Sequence, residues 1–258
     1  MTDWNPNQYM QFSDDRTRAA IDLCNRVPLE NPCNIIDLGC GPGNSTRILH
    51  NRWSKSELTG IDSSTEMIAA ARKLPLPCEW LLADIAQWEP LNKVDLIFSN
   101  AVLQWLPNHD VLVPRLMSYV SPGGVLAFQI PSHHFPAVRK LIFDISRRPV
   151  WNDRLRGARN ALSRRPPHDY YDLLCLQADH LDVWEAEYYH IMDSAESVIQ
   201  WISSTGLRPF LADLNSDTDR ATFLAELREQ TTFAYPKRLD GKVLFPFRRT
   251  FVVARRRP

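Results

Sequence analysis

The sequence predicts an α/β protein built on a doubly wound, mostly parallel sheet. Three observations carry this. Apolar, β-branched runs alternate with helical apolar spacing from Ile35 to Ile130. A glycine-rich turn, Gly39-Cys40-Gly41-Pro42-Gly43, sits between the first run and the first helix of that series. Four successive runs end on polar residues, Asp37, Asp62, Asp84 and Asn100, and ligands of open parallel sheets bind outside the carboxyl ends of the strands.

Taken in order, residues 3–30 read as an extended arm and a helix. Ser13 or Asp14 caps the helix, and Ala19, Ala20, Leu23 and Val27 lie on its apolar face. Trp4, Tyr9 and Phe12 on the arm suit either a lid over a ligand or a staple to the core. Pro28 and Pro32 separate this helix from the strand at Ile35 and Ile36, whose residues suit burial on both faces. Glycines at alternate positions cannot continue that strand and permit close approach of a ligand. Asn44, Ser45 and Thr46 then offer N-caps for the next helix. A dinucleotide turn reads GxGxxG and holds a pyrophosphate; here the spacing is GxGxG, with the carboxylate of Asp37 two residues ahead of it. A negative group there repels a diphosphate and attracts an ammonium or sulfonium, a charge pattern that fits S-adenosylmethionine better than NAD.

Leu58–Ile61 forms a second strand ending at Asp62, and Thr65–Leu74 a helix. Asp62 follows the glycine turn by about twenty residues, the spacing of an acid that accepts from both ribose hydroxyls. Its other reading is a helix N-cap, with Ser63 and Ser64 as rivals. Glu79–Ala83 is a third strand, after which Asp84 has the chemistry to accept from an adenine amino group while Ile85 packs on the ring; a plain surface turn is the alternative. Val94–Ser99 is the strongest strand and runs into Asn100-Ala101. Val111–Val120 is amphipathic, Pro122-Gly123-Gly124 stops it, and Val125–Ile130 is a fifth strand.

Beyond it, Pro149, Pro166 and Pro167 break residues 132–180 into short helices. His180–Ile191 reads as a sixth strand, Ala195–Leu207 and Thr218–Phe233 as helices, and Val243–Ala254 as the last strand. A single domain follows, with a core of 1–131, 180–193 and 240–258 and helical cap segments 132–179 and 194–239. Arginines cluster in the first cap segment, and guanidinium forks suit the carboxylates of a polyacid. Arg147, Arg148, Arg154, Arg159 and Arg164, with Tyr171, are the candidates, and His133, His134, Tyr170, Tyr235 and Arg238 lesser ones. A solvated surface with local Asp partners is the competing reading for each.

Composition narrows the partners. The chain is 44% hydrophobic, and its 30 Lys and Arg balance 30 Asp and Glu, so charge gives no reason to expect nucleic acid or an anionic membrane. Five cysteines without a CxxC pair argue against a metal site and for a reducing compartment. Neither a signal peptide nor a membrane span is visible, so a soluble cytoplasmic protein is expected.

The series DLGCGPGNST, GIDSS, ADI, DLIFSNAVLQWLP and SPGGVLAFQ resembles the class I S-adenosylmethionine-dependent methyltransferases. With the arm Trp4-Asn5-Pro6-Asn7-Gln8-Tyr9 and Asp15-Arg16-Thr17-Arg18, it resembles more narrowly the trans-aconitate 2-methyltransferase family. The resemblance implies a Rossmann-like seven-stranded sheet whose seventh strand enters antiparallel, with S-adenosylmethionine as cofactor. It also implies methylation of a small-molecule carboxylate, trans-aconitate or a similar polycarboxylate, to a monomethyl ester. Another small-molecule or acyl-carrier carboxyl methyltransferase is the alternative. Carried over, it places Asp37 and Gly39 near the methionine moiety, Gly41 on the cofactor, Asp62 on the ribose with Ser63 beside it, and Asp84 and Ile85 at the adenine. Asn100, Ala101 and Trp105 border the methyl group, and Tyr9 and Arg16 close over the methionine end. No catalytic acid or base is expected beyond the positioning residues Asn100 and Trp105.

Overall fold

The computed structural model describes residues 13–134, 136–161, 165–203 and 205–258. Tyr9 and Arg164 lie outside these residues, as does the side chain of Arg16. The elements are α1 (Ser13–Arg26), β1 (Asn34–Leu38), α2 (Asn44–Arg52), β2 (Glu57–Asp62), α3 (Thr65–Ala71), β3 (Cys78–Leu82) and β4 (Val94–Asn100). A 3₁₀ turn (Leu103–Trp105), α4 (His109–Tyr119) and β5 (Val120–Pro131) follow. The second half contains α5 (Ala137–Ser146), α6 (Arg156–Arg159), α7 (Pro167–Leu174), β6 (Ala178–Met192), α8 (Ala195–Ser203), α9 (Arg208–Asp213), α10 (Asp217–Ala234) and β7 (Val243–Arg256).

The seven strands form one sheet in the order β3-β2-β1-β4-β5-β7-β6. β1 pairs in parallel with β2 and β4, β2 with β3, and β4 with β5; β7 enters antiparallel to β5. The order reverses between β1 and β4, and the crevice at such a switch point is where ligands of this architecture bind. Ser99 Oγ donates to the Leu38 carbonyl at 2.9 Å, tying these two strands together near their C-terminal ends.

The chain divides into two compact units, residues 1–132, 163–186 and 249–258 in the first and 133–162 and 187–248 in the second. In the first, Ile36, Leu38 and Ile97 from the sheet pack with Leu112 and Leu116 of α4 and with Tyr170 and Leu174 of α7. Helix α1 packs against α2 and β5 from outside this cluster. In the second, Trp151, Trp201, Phe210, Phe223 and Phe245 are almost fully buried, with Trp151 edge-on to Phe223 at 5.7 Å.

Two sequence expectations shift. The span 132–179 is not all cap: residues 163–179, with α7, belong to the first unit, because Tyr170 and Leu174 are completely buried in its core. Conversely, residues 187–193 and 240–248, which include one end of each long strand, fall in the second unit. The prolines act as expected, limiting α5, α6 and α7 to short helices. No helix among the described residues is long and apolar enough to cross a membrane.

Candidate cofactor and methyl-acceptor site

The glycine turn is anchored from below. The N–H groups of Gly39 and Cys40 both donate to the Ile61 carbonyl, at 2.7 and 2.9 Å, so the turn folds over the end of β2. Gly39 has φ 72°, and a Cβ there would lie 2.2 Å from a methyl of Val102, so the loop after β4 packs directly on the turn. Gly41 has φ 54° and nothing within 4 Å of where a Cβ would stand. Its backbone is open to a ligand.

Asp37 does not stand at the mouth of this turn. It is 1% exposed, and its Oδ2 accepts from the hydroxyls of Ser45 (2.7 Å) and Thr46 (2.6 Å) in the first turn of α2. Those hydroxyls are therefore unavailable as N-caps, and Gly43 occupies the cap position instead, in the left-handed region. Oδ1 of Asp37 is buried without a hydrogen bond. Desolvation raises the carboxyl to about 6, against the lowering effect of Thr46 and Ser45. Its negative charge acts through the field beneath the turn, next to the positive end of α2.

Asp62 is held by backbone N–H groups. Its Oδ2 accepts from Gly41 N–H and its Oδ1 from Ser64 N–H, both at 2.9 Å. These two bonds lock the carboxylate plane while each oxygen retains a lone pair. The competing cap reading fails because Ser64 is the N-cap of α3, its hydroxyl accepting from Met67 N–H at 3.3 Å. Burial raises the Asp62 pKa, opposed by the N–H groups of Ser64 and Gly41. Ser63 beside it is exposed. Asp84 is exposed and accepts from Ala86 N–H at 2.9 Å in a local turn. Ile85 is 5% exposed and part of the apolar core.

Beyond β4 the backbone kinks. Ala101 has φ 59°, a conformation that a residue with a Cβ adopts only when its surroundings enforce it. Its N–H donates to the Gln129 carbonyl at 2.9 Å, and its own carbonyl accepts from Gln104 Nε2 at 2.7 Å. Asn100 and Trp105 are half-buried on either side of this kink. The turn is braced by His109, whose Nε2 lies 2.8 Å from the Leu103 carbonyl and Nδ1 2.8 Å from the Tyr170 hydroxyl. The carbonyl can only accept, so Nε2 carries the proton and Tyr170 donates to Nδ1. Tyr170 is thereby a structural residue, completely buried.

Most candidate arginines are already engaged inside the second unit. Arg148 pairs with Glu226 at 2.6 Å and Arg154 with Asp219 at 2.5 Å. Arg159 donates to the carbonyls of Ser146 (2.6 Å) and Asn152 (2.7 Å). Arg147 stacks on Phe143 at 5.7 Å and makes no ion pair among the described residues. Tyr235 is 4% exposed, its hydroxyl accepting from Val138 N–H at 3.0 Å. Tyr171 is 52% exposed on α7, in the first unit. His133 and His134 lie with ring centroids 3.9 Å apart, and Arg238 is exposed.

Sequence reasoning passed over Gln129 and Arg249. Gln129 is fully buried and Arg249 is 4% exposed. A lone amide within the apolar run Val125–Ile130 was the available signal.

A family profile described as a methyltransferase domain matches residues 35–124. The trans-aconitate 2-methyltransferase of Azoarcus sp. (strain BH72) is 44% identical over 254 residues, spanning 98% of this chain and 99% of its own. The enzyme of the same name from Shigella dysenteriae serotype 1 (strain Sd197) is 43% identical over 256 residues, 99% of each chain. Among solved structures, the YcgJ protein from Bacillus subtilis matches with a TM-score of 0.58 at 13% identity, over 93% of this chain and 99% of that one. Phosphoethanolamine N-methyltransferase 2 of Haemonchus contortus, in complex with S-adenosyl-L-methionine, gives 0.56 at 14% identity over 93% of this chain and 53% of that one. At such identities the structural likeness establishes the fold.

Proposed function

The chain belongs to the trans-aconitate 2-methyltransferase family, and we propose that it transfers a methyl group from S-adenosylmethionine to a carboxylate of trans-aconitate or a similar small polycarboxylate. The products are a monomethyl ester and S-adenosylhomocysteine. The observation that carries this reading is the extent of the likeness to enzymes of that name, which runs through both units and not over the glycine turn alone. All five cysteines are free, which suits a reducing cytoplasm.

The residues of the first unit fit the cofactor. Asp62 offers lone pairs to the two ribose hydroxyls from a carboxylate already fixed by Gly41 and Ser64, with Ser63 beside it. Asp84 and Ile85 border the adenine. Gly41 brings open backbone to the methionine end, above the buried charge of Asp37. When bound, S-adenosylmethionine supplies a methyl carbon whose bond to sulfur breaks as a carboxylate oxygen bonds to it, with no proton to move.

The acceptor is already ionised at neutral pH, so the protein supplies alignment. Asn100, Ala101 and Trp105 set the position of the attacking oxygen, and orientation of this kind is worth roughly 7–11 kcal/mol in favourable intramolecular cases. The carboxylates that are not methylated call for guanidinium forks. Of Arg147, Arg148, Arg154 and Arg159, Arg147 is the one whose guanidinium has no acceptor among the described residues, and its planar fork matches a carboxylate. The test is transfer of labelled methyl to trans-aconitate, cis-aconitate, isocitrate and a malonyl thioester. The highest kcat/KM is expected with trans-aconitate. Transfer to the thioester alone, or tight S-adenosylhomocysteine binding with no transfer to any of the four, overturns the reading.

A further inference from the structure

Beneath the kink at Ala101, three polar side chains are strung through the core of the first unit. Arg249 Nη1 donates to Gln129 Oε1 at 3.2 Å, and Gln129 Nε2 donates to Asn100 Oδ1. The sheet builds this row. Asn100 is directly opposite Gln129 in the parallel β4–β5 pair. Gln129 is opposite Phe251 in the antiparallel β5–β7 pair, with Arg249 two residues further along the same face.

The polarity of the row is fixed from one end. An amide presents two nearly identical ends, and its orientation ordinarily follows from its neighbours. A guanidinium has donors only, so Arg249 compels Gln129 to turn its oxygen inward and its NH2 toward Asn100. Asn100 must then accept through Oδ1, which leaves its own NH2 directed away from the row. That group makes no other hydrogen bond among the described residues, and Asn100 is half-buried at the carboxyl end of β4.

We propose that Arg249 and Gln129 are positioning residues that set the Asn100 amide with its NH2 toward the methyl acceptor, which selects a carboxylate oxygen over an amine nitrogen. The inference rests on the carboxyl methyltransferase reading and adds to it the reason for acceptor class. A donor at this point holds a carboxylate oxygen while a second lone pair remains to attack the methyl carbon, whereas an amine, which must be unprotonated to attack, has a single lone pair and would lose it to the same donor.

The substitution Gln129→Glu tests this without emptying the core. The introduced carboxylate accepts from Arg249 as well as the amide did. It has no donor for Asn100, which must rotate its amide and present Oδ1 outward. Methyl transfer to trans-aconitate is expected to fall about 10- to 100-fold, the value of a hydrogen bond to a charged group, while S-adenosylhomocysteine affinity and Tm hold. In an Asn100→Ala background the same substitution has no further effect on transfer, because the row acts through Asn100. The Asn100 side-chain NH2, read by NMR hydrogen exchange, is open to solvent in the wild type and protected in Gln129→Glu. Unchanged turnover in a folded Gln129→Glu protein, a full additional loss in the Asn100→Ala background, or identical exchange in both proteins overturns the proposal. A wild type that transfers no methyl while showing the expected exchange difference defeats the functional reading and leaves the amide orientation standing.

Discussion

Replacing Asp62 by alanine removes the carboxylate that Gly41 of the glycine turn orients. In the structure that carboxylate spends one lone pair of each oxygen on Gly41 and Ser64, and the proposed ribose contact uses the remaining two. A hydrogen bond to a charged group is worth about 1.5–3 kcal/mol, so losing two costs about 3–6 kcal/mol, or a rise in Kd of about 10²- to 10⁴-fold. The substitution also orphans two backbone N–H groups, and a lower Tm is expected with it. The assay is calorimetric titration of S-adenosylhomocysteine into Asp62→Ala at a temperature where near-UV circular dichroism shows the protein folded, with Asp62→Asn alongside. The asparagine variant keeps one acceptor and falls between wild type and alanine. A folded Asp62→Ala protein that binds within about threefold of wild type, less than one such bond is worth, would remove Asp62 from the ribose.

Other residues give independent tests. Asp37 has a folded pKa of about 6, above the usual carboxyl value, so its contribution to stability is fully present below the unfolded pKa and lost as pH rises through about 6. Asp37→Asn should therefore be more stable than wild type at pH 7.5, by up to about 3 kcal/mol in urea unfolding, and the difference should vanish near pH 4; an advantage independent of pH contradicts this. His109 has the opposite sign: burial lowers its pKa, so its stabilisation is present above the unfolded value and lost as pH falls through the lower folded one. His109→Leu should accordingly show a smaller loss of stability than wild type between pH 7 and pH 5 in the same assay. Gly41→Ala places a methyl in the open space above the turn, and S-adenosylhomocysteine binding should weaken far more than the roughly 1–2 kcal/mol of left-handed strain in unfolding suggests. Arg147→Ala should raise KM for trans-aconitate, whereas Arg148→Ala and Arg154→Ala, whose side chains serve Glu226 and Asp219, should leave it unchanged in steady-state kinetics.

What the sequence discloses is the chemistry that lies close along the chain. The glycine turn, the acid ending β2 and the alternation of strand and helix all follow from residues within one or two turns of each other, and all appear where they were expected. Even there, the fate of Asp37 was hidden, since whether it faces a ligand or folds beneath the turn depends on hydroxyls from the helix that follows. Longer-range pairings left no local trace. The acids that engage Arg154 and Arg148 stand 65 and 78 residues away, and Arg249 meets Gln129 across 120. Tyr170 looked like a cap residue because the prolines before it end one helix and begin another. Only the packing of α7 on α4 shows that it belongs to the first core.

The decisive measurement is the product. Incubation of the wild-type protein with S-adenosylmethionine and trans-aconitate, followed by mass spectrometry, should yield a singly methylated, base-labile ester and one S-adenosylhomocysteine for each ester formed. Cofactor consumed with no ester, or a methyl found on anything other than a carboxylate oxygen, contradicts the account.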